Sequence, residues 1–310
     1  DRTNERAGVF ELWIPITIFA AFMQNLRSAL QKHLKDRLST GGAAYVRFFY
    51  AWPFALLYYW GLHEYTGAAV PEINGLFLLY CLLGGLSQIL FTFLLVYLFS
   101  FRNFAVGTIY SKTEVVQVAL LGLILLGDTI SLTGSAAIGV GMIGIMALSV
   151  AHTSVTWKNL ITSLFEKPTM IGLLCGAFLG ASVVFYRGAA LSLEDGDVLN
   201  RAGFSLAVSV VMQTIIMGAY LLIREPGQMS AVLRHWRPSL MVGLVGFLGS
   251  AGWFIAFTLE NAAYVRAVGQ IELIFTFIAS VFFFKEKTNR LEMAGIVLIL
   301  AAILMLILLR

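Results

Sequence analysis

Charged residues are scarce in this sequence, while apolar residues are abundant. Only 12% of its 310 residues are Asp, Glu, Lys or Arg, and 59% are hydrophobic. Ordinary soluble domains are about 25% charged, and a single soluble core of this size cannot bury so much apolar surface. The composition therefore excludes a water-soluble enzyme. Because each membrane helix takes roughly 20 apolar residues, the length accommodates about ten spans with short connections.

Residues for redox, metal or hydrolytic chemistry are also few. Cys81 and Cys175 lie inside apolar runs, and the histidines lie in loops or at helix ends, at His33, His63, His152 and His235. There is no Cys-x-x-Cys, HExxH, GxSxG, Walker A, TVGYG or acidic metal cluster. We therefore expect no direct ATP drive, no metal, no cofactor and no enzymatic activity. The net charge of +4 comes from short loops, so nucleic acid is not expected as a partner.

Ten apolar runs indicate membrane helices rather than barrel strands, because they are long and continuous. The predicted fold class is an all-α polytopic membrane protein. The runs divide into a first five-helix repeat at 1–151, a connecting loop at 152–168 and a second five-helix repeat at 169–310. The predicted helices cover residues 12–31, 42–60, 76–98, 104–127, 132–150, 169–190, 203–223, 238–258, 262–284 and 290–309.

An internal repeat emerges when the chain is shifted by 158 residues. The segment LFSFRNFAVGTIYSKTE at 98–114 then aligns with AFTLENAAYVRAVGQIE at 256–272. Matching residues are Phe99 with Phe257, Asn103 with Asn261, Ala105 with Ala263 and Glu114 with Glu272, and Asp128 falls on Glu286. Since five spans per half is an odd number, the second half would cross the bilayer in the opposite sense. Inverted repeats of this kind are common in secondary transporters, whose binding sites lie near the membrane midplane.

The distribution of positive charge predicts the orientation. Loops after the odd-numbered spans carry most of the basic residues, whereas the other side has mainly Arg2, Arg6, Arg201 and Arg266. By the positive-inside rule, both termini should face away from the cytoplasm. The residues of the basic side are Lys32, Lys35, Arg37, Arg102, Lys158, Lys167, Arg224, Arg234, Arg237, Lys285, Lys287 and Arg290.

Two glutamates near mid-membrane are the main candidate functional residues. Glu114 and Glu272 each lie about eleven residues into a predicted span, where a charge costs roughly 3 kcal/mol on insertion scales. Burial favours the protonated form of a carboxylate, so either glutamate could hold a proton and exchange it for a cation. A protonated glutamate that only hydrogen-bonds across a helix interface is the alternative.

Other candidates share helix faces with these glutamates, since residues three or four apart lie together. In the fourth span, Gly107, Tyr110, Ser111, Glu114 and Gln117 form a polar track. A second face of this span carries Thr108 and Lys112, and its counterpart in the ninth span carries Arg266 and Gln270. The cations Lys112 and Arg266 could bind a substrate carboxylate or simply neutralise the glutamates. Snorkelling towards the membrane surface is another interpretation of Arg266.

Further polar residues within the spans predict a central cavity, because lipid cannot satisfy them. They include Gln24, Asn25 and Gln88, although each alone could instead make a helix-packing hydrogen bond. Tyr110 and Trp253 are candidates for an aromatic cage around a cationic group, with core packing as the alternative. The glycines of the sixth span, Gly172, Gly176 and Gly180, indicate close helix packing.

The helix pattern resembles the EamA-type branch of the drug/metabolite transporter superfamily. Each half closes on a helix pair, YSKTEVVQVALLGLILLGD and VGQIELIFTFIASVFFFKEK, with an acidic turn at Leu126 to Asp128 and at Phe284 to Glu286. The resemblance implies a carrier of small metabolites such as amino acids, drugs or amines. Family members usually keep both termini in the cytoplasm, opposite to the charge count here, and the two midplane glutamates are not general family features.

These observations together predict a secondary active transporter. It would move a small cationic or zwitterionic metabolite by alternating access, with protons as the coupling ion. Glu114 and Glu272 would bind the amine or the proton, and Lys112 or Arg266 a carboxylate. A passive channel, or a membrane-embedded enzyme, is the alternative. We expect a monomer or homodimer in a lipid bilayer, the bacterial cytoplasmic membrane.

Overall fold

The computed structural model describes residues 2–34, 37–98, 101–102, 104–153, 155–282, 285 and 288–309, with backbone alone at 2–11, 32, 96 and 104. Several residues named from the sequence lie outside this description: Lys35, Phe99, Asn103, Phe284, Glu286 and Lys287.

The described chain is all helical. Its fifteen helices, numbered in chain order, are α1 (Arg2–Lys32), α2 (Thr40–Phe49), α3 (Trp52–Thr66), α4 (Gly75–Leu98), α5 (Phe104–Ser111), α6 (Glu114–Leu126), α7 (Leu132–Ala151), α8 (Trp157–Thr162), α9 (Lys167–Leu191), α10 (Val198–Arg224), α11 (Gln228–Arg234), α12 (Trp236–Leu259), α13 (Ala262–Gly269), α14 (Ile271–Phe282) and α15 (Arg290–Leu308). Helix thus covers the greater part of every predicted run.

Eight helical stretches within the described residues are long and apolar enough to cross a membrane. They are Gly75–Leu95, Ala105–Leu126, Leu132–Ala151, Lys167–Leu191, Val198–Arg224, Trp236–Leu259, Ala262–Phe282 and Arg290–Leu308. These eight correspond to the third to tenth predicted spans. The first two predicted spans fall on α1 and on the pair α2 and α3, which are helical but outside this set.

Three predicted spans are interrupted. Between α2 and α3 the chain carries Pro53 in the first turn of α3, where a ring without an N–H ends the preceding hydrogen-bond pattern. Between α5 and α6 the amides of Lys112 and Thr113 bond to carbonyls three residues back, a local 3₁₀ turn. Gln270 makes the same kind of bond between α13 and α14. Glu114 and Glu272 therefore each lie in the first turn of a new helix.

The helices form two compact units, each built from both halves of the sequence. The first unit comprises Asp1–Ile89 and Phe185–Glu260. Within it α1 packs along α12, and α10 packs against α2 and α3. A Cβ at Gly252 would lie 2.9 Å from the Cβ of Ala20, so glycine allows the backbones of α12 and α1 to approach closely.

The second unit comprises Leu90–Val184 and Asn261–Arg310. Its helices α7 and α15 pack along each other, with Gly144 against Gly295, and α6 packs against α13. Side chains of Ser131 and Asn289 cap the amino ends of α7 and α15. Division of the chain into the repeats 1–151 and 169–310 concerns the sequence, and it stays a prediction.

Candidate functional site in the second unit

Glu114 forms a buried ion pair with Arg266. The carboxylate Oε1 contacts the guanidinium Nη2 of Arg266, whose residue is 5% exposed, and Glu114 itself is 2% exposed. The side-chain amide of Gln270 lies 3.5 Å from the same carboxylate oxygen. Arg266 is thus inside the unit and does not snorkel. In this state it neutralises a glutamate, which was one of the two roles open for it.

One oxygen of Glu114 has no hydrogen-bond partner among the described residues. Its Oε2 is buried, as is the Oε1 atom of Gln270, which likewise has no described partner. A buried polar atom without a partner costs free energy, and in native proteins such an atom calls for an explanation. A water molecule would provide that partner, whereas a proton on Oε2 would make it a donor that needs an acceptor of its own.

The glycine face of α9 covers the backbone around Glu114. A Cβ at Gly172 would collide with the carbonyl of Gly107, and one at Gly176 would lie 3.0 Å from the carbonyl oxygen of Ser111. Gly180 faces the amide of Val118. The predicted packing role of this glycine series is therefore confirmed. The same contacts place part of the predicted polar track against a helix rather than against open space.

Glu272 has a different environment. Its Oε1 lies 4.0 Å from Nζ of Lys112, and the side chains of Glu272 and Lys112 are 14% and 33% exposed. Arg266 also interacts electrostatically with Glu272. The separation of 4.0 Å is at the limit for an ion pair, so Lys112 neutralises Glu272 without a close hydrogen bond.

A cavity of about 580 Å³ in the second unit extends to Lys112. Facing sides of α5, α7 and α14 line it, with Ala105, Thr108 and Ile109 of α5 and Lys112 directly after that helix. Its basic residues are Arg102, Lys112 and His152, and no Asp or Glu lines it among the described residues. The volume falls within the range of about 300–1,000 Å³ typical of small-molecule sites.

His152 reaches a second buried acid at the end of α7. Its Nε2 lies 3.0 Å from Oε1 of Glu292, and the side chain of Glu292 is 5% exposed. Glu292 also accepts a hydrogen bond from the amide of Asn289 in a capping box. The histidine was assigned only to a helix end from the sequence. Its pairing joins residues 140 positions apart, which sequence spacing did not signal.

The side chains of Tyr110 and Gln117 form hydrogen bonds within the protein. The hydroxyl of Tyr110 donates to the carbonyl of Leu160 at 2.8 Å. The side-chain amide of Gln117 donates to Thr113 Oγ1 at 2.8 Å and to the carbonyl of Leu173 at 3.3 Å. Both side chains thus stabilise the segment around the α5–α6 break in this state.

The remaining candidates belong to the first unit. The indole of Trp253 donates to Gln24 Oε1 at 3.0 Å and stacks on Phe257 with ring centroids 5.5 Å apart. Gln88 Oε1 accepts from Gln213 Nε2 at 2.7 Å. Asn25 lies beside Gln24 on α1, half-buried. Trp253 therefore has packing and hydrogen-bond partners of its own, which is the alternative foreseen for it.

Two polar residues beside Gln88 in the first unit, Gln213 and Tyr186, were missed or little used in the sequence analysis. Gln213 is 2% exposed in the middle of α10 and received no role, although an amide in an apolar run is the signal that selected Gln88. Tyr186 OH lies 3.4 Å from Gln88 Oε1.

Within the described part of the chain, no three His, Cys, Asp or Glu side chains are grouped to hold a metal ion.

Comparison with known proteins gives a family match for residues 167–308 and a likeness of fold over nearly the whole chain. Residues 167–308 match the EamA-like transporter family. No curated protein matches the chain. One solved protein crystal structure has a TM-score of 0.67 and 13% sequence identity to this chain. The likeness covers 95% of this chain and 96% of the other chain.

The family match confirms the resemblance seen in the sequence, and the likeness at 13% identity concerns the fold alone. Together with the eight apolar helices, the match indicates a multi-pass integral membrane protein. Members of the EamA-like family are transporters rather than enzymes, so the match supports a membrane transporter. Residues 167–308 are thus an EamA-like transporter domain of the drug/metabolite transporter superfamily.

Proposed function

We propose that this protein is a secondary active transporter that moves a small cationic or zwitterionic metabolite by alternating access, coupled to protons. The observation that carries the proposal is the Lys112–Glu272 pair beside a cavity, in the same unit as the closed Glu114–Arg266 pair. The first pair is partly exposed through Lys112 and can exchange its partner, and the second pair is buried and held in place. A transport cycle needs both a site that opens and a structure that stays ordered when it does.

The charges in this region balance. Lys112 and Arg266 offset Glu114 and Glu272, so these four residues together contribute no net charge to the site. A zwitterion brings one positive and one negative group, and it leaves that balance unchanged when it inserts between Lys112 and Glu272. Ionisable groups inside membrane spans are expensive and commonly mark substrate or proton pathways.

Glu114 is the stronger candidate for the coupling proton. Its Oε2 atom is buried without a described hydrogen-bond partner, and a proton there would supply a donor. Protonation would also weaken the attraction between Glu114 and Arg266. The proton would then favour a second arrangement of Arg266, which is the differential stabilisation that an alternating cycle requires.

The geometry of the helix breaks supports the inverted repeat. The α5–α6 and α13–α14 breaks fall at positions related by the same shift of 158 residues as Glu114 and Glu272. Ser131 and Asn289, which cap α7 and α15, are also 158 residues apart. In addition, Gly127 and Lys285 at this spacing both adopt positive φ, at 70° and 53°. Broken helices at corresponding positions are typical of repeat-built transporters.

Flux measurements in proteoliposomes test the proposal. A thermal-shift screen of purified protein across amino acids, polyamines, quaternary amines and nucleosides first selects a cargo, because a bound ligand stabilises the folded state. A pH gradient should then drive uphill, saturable uptake of that cargo, recovered chemically unchanged. Flux that never runs uphill would show a passive channel, and a converted cargo would show an enzyme.

Two variants assign the coupling. Glu272→Gln and Glu114→Gln should abolish the response of uptake to the pH gradient, while Glu194→Gln, on an exposed loop, should leave it intact. The matched control has the same chemical change outside the site. Unchanged proton-driven uptake in both site variants would rule out the coupling role of these carboxylates.

A further inference from the structure

We infer that the cavity beside Lys112 binds an anionic group of the cargo. The cargo would then be a small metabolite with a carboxylate and an apolar body, rather than a plain amine or a quaternary ammonium ion. This inference rests on the proposed transport function and narrows its cargo class.

The basic residues of the lining carry the argument. Arg102, Lys112 and His152 line the cavity, and no carboxylate lines it among the described residues. His152 is paired with Glu292 and Lys112 with Glu272, whereas Arg102 has no ion-pair partner in the described chain. The balance at the wall is thus positive. A cation entering this space would be repelled, and a carboxylate would gain charge-assisted hydrogen bonds.

The position of the basic residues suggests a path for the anionic group. Arg102 lies just before α5, and Lys112 follows its last turn, so the eight residues of α5 place about 12 Å of helix between them at 1.5 Å per residue. Thr108 lies on the same helix face and also lines the cavity. A carboxylate could therefore be received near Arg102 and transferred along α5 to Lys112, where Glu272 is the adjacent acid.

Hydroxyl and apolar residues complete the recognition of such a cargo. Ser149 lines the cavity and its hydroxyl donates its proton to the carbonyl of Ile145 at 2.7 Å, so its oxygen keeps acceptor capacity for an ammonium group of the cargo. Ile109, Leu273 and Phe277 supply apolar lining for the body of the molecule. A cavity of this kind combines a few oriented polar groups with a mainly hydrophobic wall.

Matched ligands test the inference directly. Delipidated protein in neutral detergent is titrated with leucine and isoamylamine, phenylalanine and phenethylamine, and lysine and cadaverine. Each amine is the amino acid without its carboxylate. We expect at least one amino acid to raise the melting temperature and its amine to have no effect. Equal stabilisation by amino acid and amine, or no stabilisation by any amino acid, would overturn the inference.

Variants locate the binding. Arg102→Gln and Lys112→Gln should each raise the Kd of the stabilising amino acid about tenfold or more, because a hydrogen bond between charged groups contributes about 1.5–3 kcal/mol. Lys158→Gln removes an exposed charge outside the cavity and should leave the Kd unchanged. An unchanged Kd in both cavity variants would place the ligand elsewhere.

The phosphate of a lipid headgroup is also anionic, so a separate experiment must distinguish it from the carboxylate of a soluble cargo. The titration is repeated in nanodiscs of phosphatidylcholine alone and of phosphatidylcholine with phosphatidylglycerol. Stabilisation by the amino acid in both membranes supports a soluble cargo. Stabilisation by phosphatidylglycerol alone, lost in Arg102→Gln, would make this a lipid site and overturn the inference.

The outcome is separable from that of the proposed function. Uphill, proton-driven uptake of isoamylamine or cadaverine would retain the transporter and reject the carboxylate site. Binding of leucine that depends on Arg102, without any uptake driven by a pH gradient, would retain the site and reject the transport mechanism.

Discussion

Glu114 and Glu272 occupy corresponding positions in the predicted repeat, yet their environments differ. Glu114 is 2% exposed, contacts Arg266 directly, and lies where the glycine face of α9 covers the backbone. Glu272 pairs with Lys112 at 4.0 Å, and Lys112 lines a cavity. The same residue type after the same kind of helix break has become an enclosed ion pair in one case and an accessible one in the other.

The difference shows how one pattern can supply two functions. A buried ion pair is strongly destabilised when one partner is lost, because the other charge remains in a medium of low dielectric. A partly exposed pair is screened by water and contributes little to stability. The Glu114 pair is therefore suited to hold the structure, and the Glu272 pair is better suited to the exchange of its partner for a ligand that we propose.

Removal of the buried carboxylate should have the largest effect. Glu114→Gln leaves the Arg266 guanidinium without its closest carboxylate, and we expect a loss of about 3–5 kcal/mol in stability. The measurement is the free energy of unfolding of the purified protein in detergent. Glu114→Gln combined with Arg266→Gln removes both charges and should be more stable than Glu114→Gln alone. A double variant no better than the single would show that the pair does not carry the effect.

A bulkier residue at the glycine face of α9 should have the next largest effect. In Gly176→Ala the new Cβ would lie 2.8 Å from Nε2 of Gln117 and 3.0 Å from the backbone oxygen of Ser111. Relief of this crowding requires backbone movement at the Glu114 break, at a cost of about 1–3 kcal/mol. Melting temperature measures it. Gly139→Ala, which meets no atom within 4 Å, is the matched control and should be neutral or slightly stabilising.

Loss of the accessible pair should have the smallest effect on stability and a large effect on transport. Lys112→Gln should change the free energy of unfolding by about 0–1 kcal/mol, since its side chain is 33% exposed. Uptake of the cargo in proteoliposomes should nevertheless fall at least tenfold. A loss of stability comparable to that of Glu114→Gln would remove the distinction between the two pairs.

Much of the helical architecture was predictable, because apolar runs of about 20 residues have few alternatives in a membrane. The run at 132–150 corresponds to α7, Leu132–Ala151, where Ser131 supplies the amino-terminal cap. Breaks beside Glu114 and Glu272 were less visible. They depend on short-range bonds such as that from Thr113 to the carbonyl of Tyr110, which compete with the regular helical pattern without any proline or glycine signal at Thr113.

The partners of the candidate residues were harder to predict than their positions. Depth in an apolar run selected Gln24 and Trp253, and the structure joins them by one hydrogen bond. The same signal applied to Tyr110 but did not reveal that its hydroxyl bonds to Leu160 in the connecting segment. Contacts between residues far apart in sequence depend on helix rotation and packing, which the hydropathy of each helix leaves undetermined.

Apolar length in the sequence was enough to predict a membrane protein and the segments that form helices. It also singled out two glutamates within those helices. The reason is local: apolar length and an isolated carboxylate are properties of a single segment. Tertiary structure alone decided that Arg266 neutralises Glu114, 152 residues away, and that Lys112 meets Glu272 beside a cavity. Ion pairing falls off steeply with distance, so a few ångströms of helix packing select which charges are held and which remain accessible.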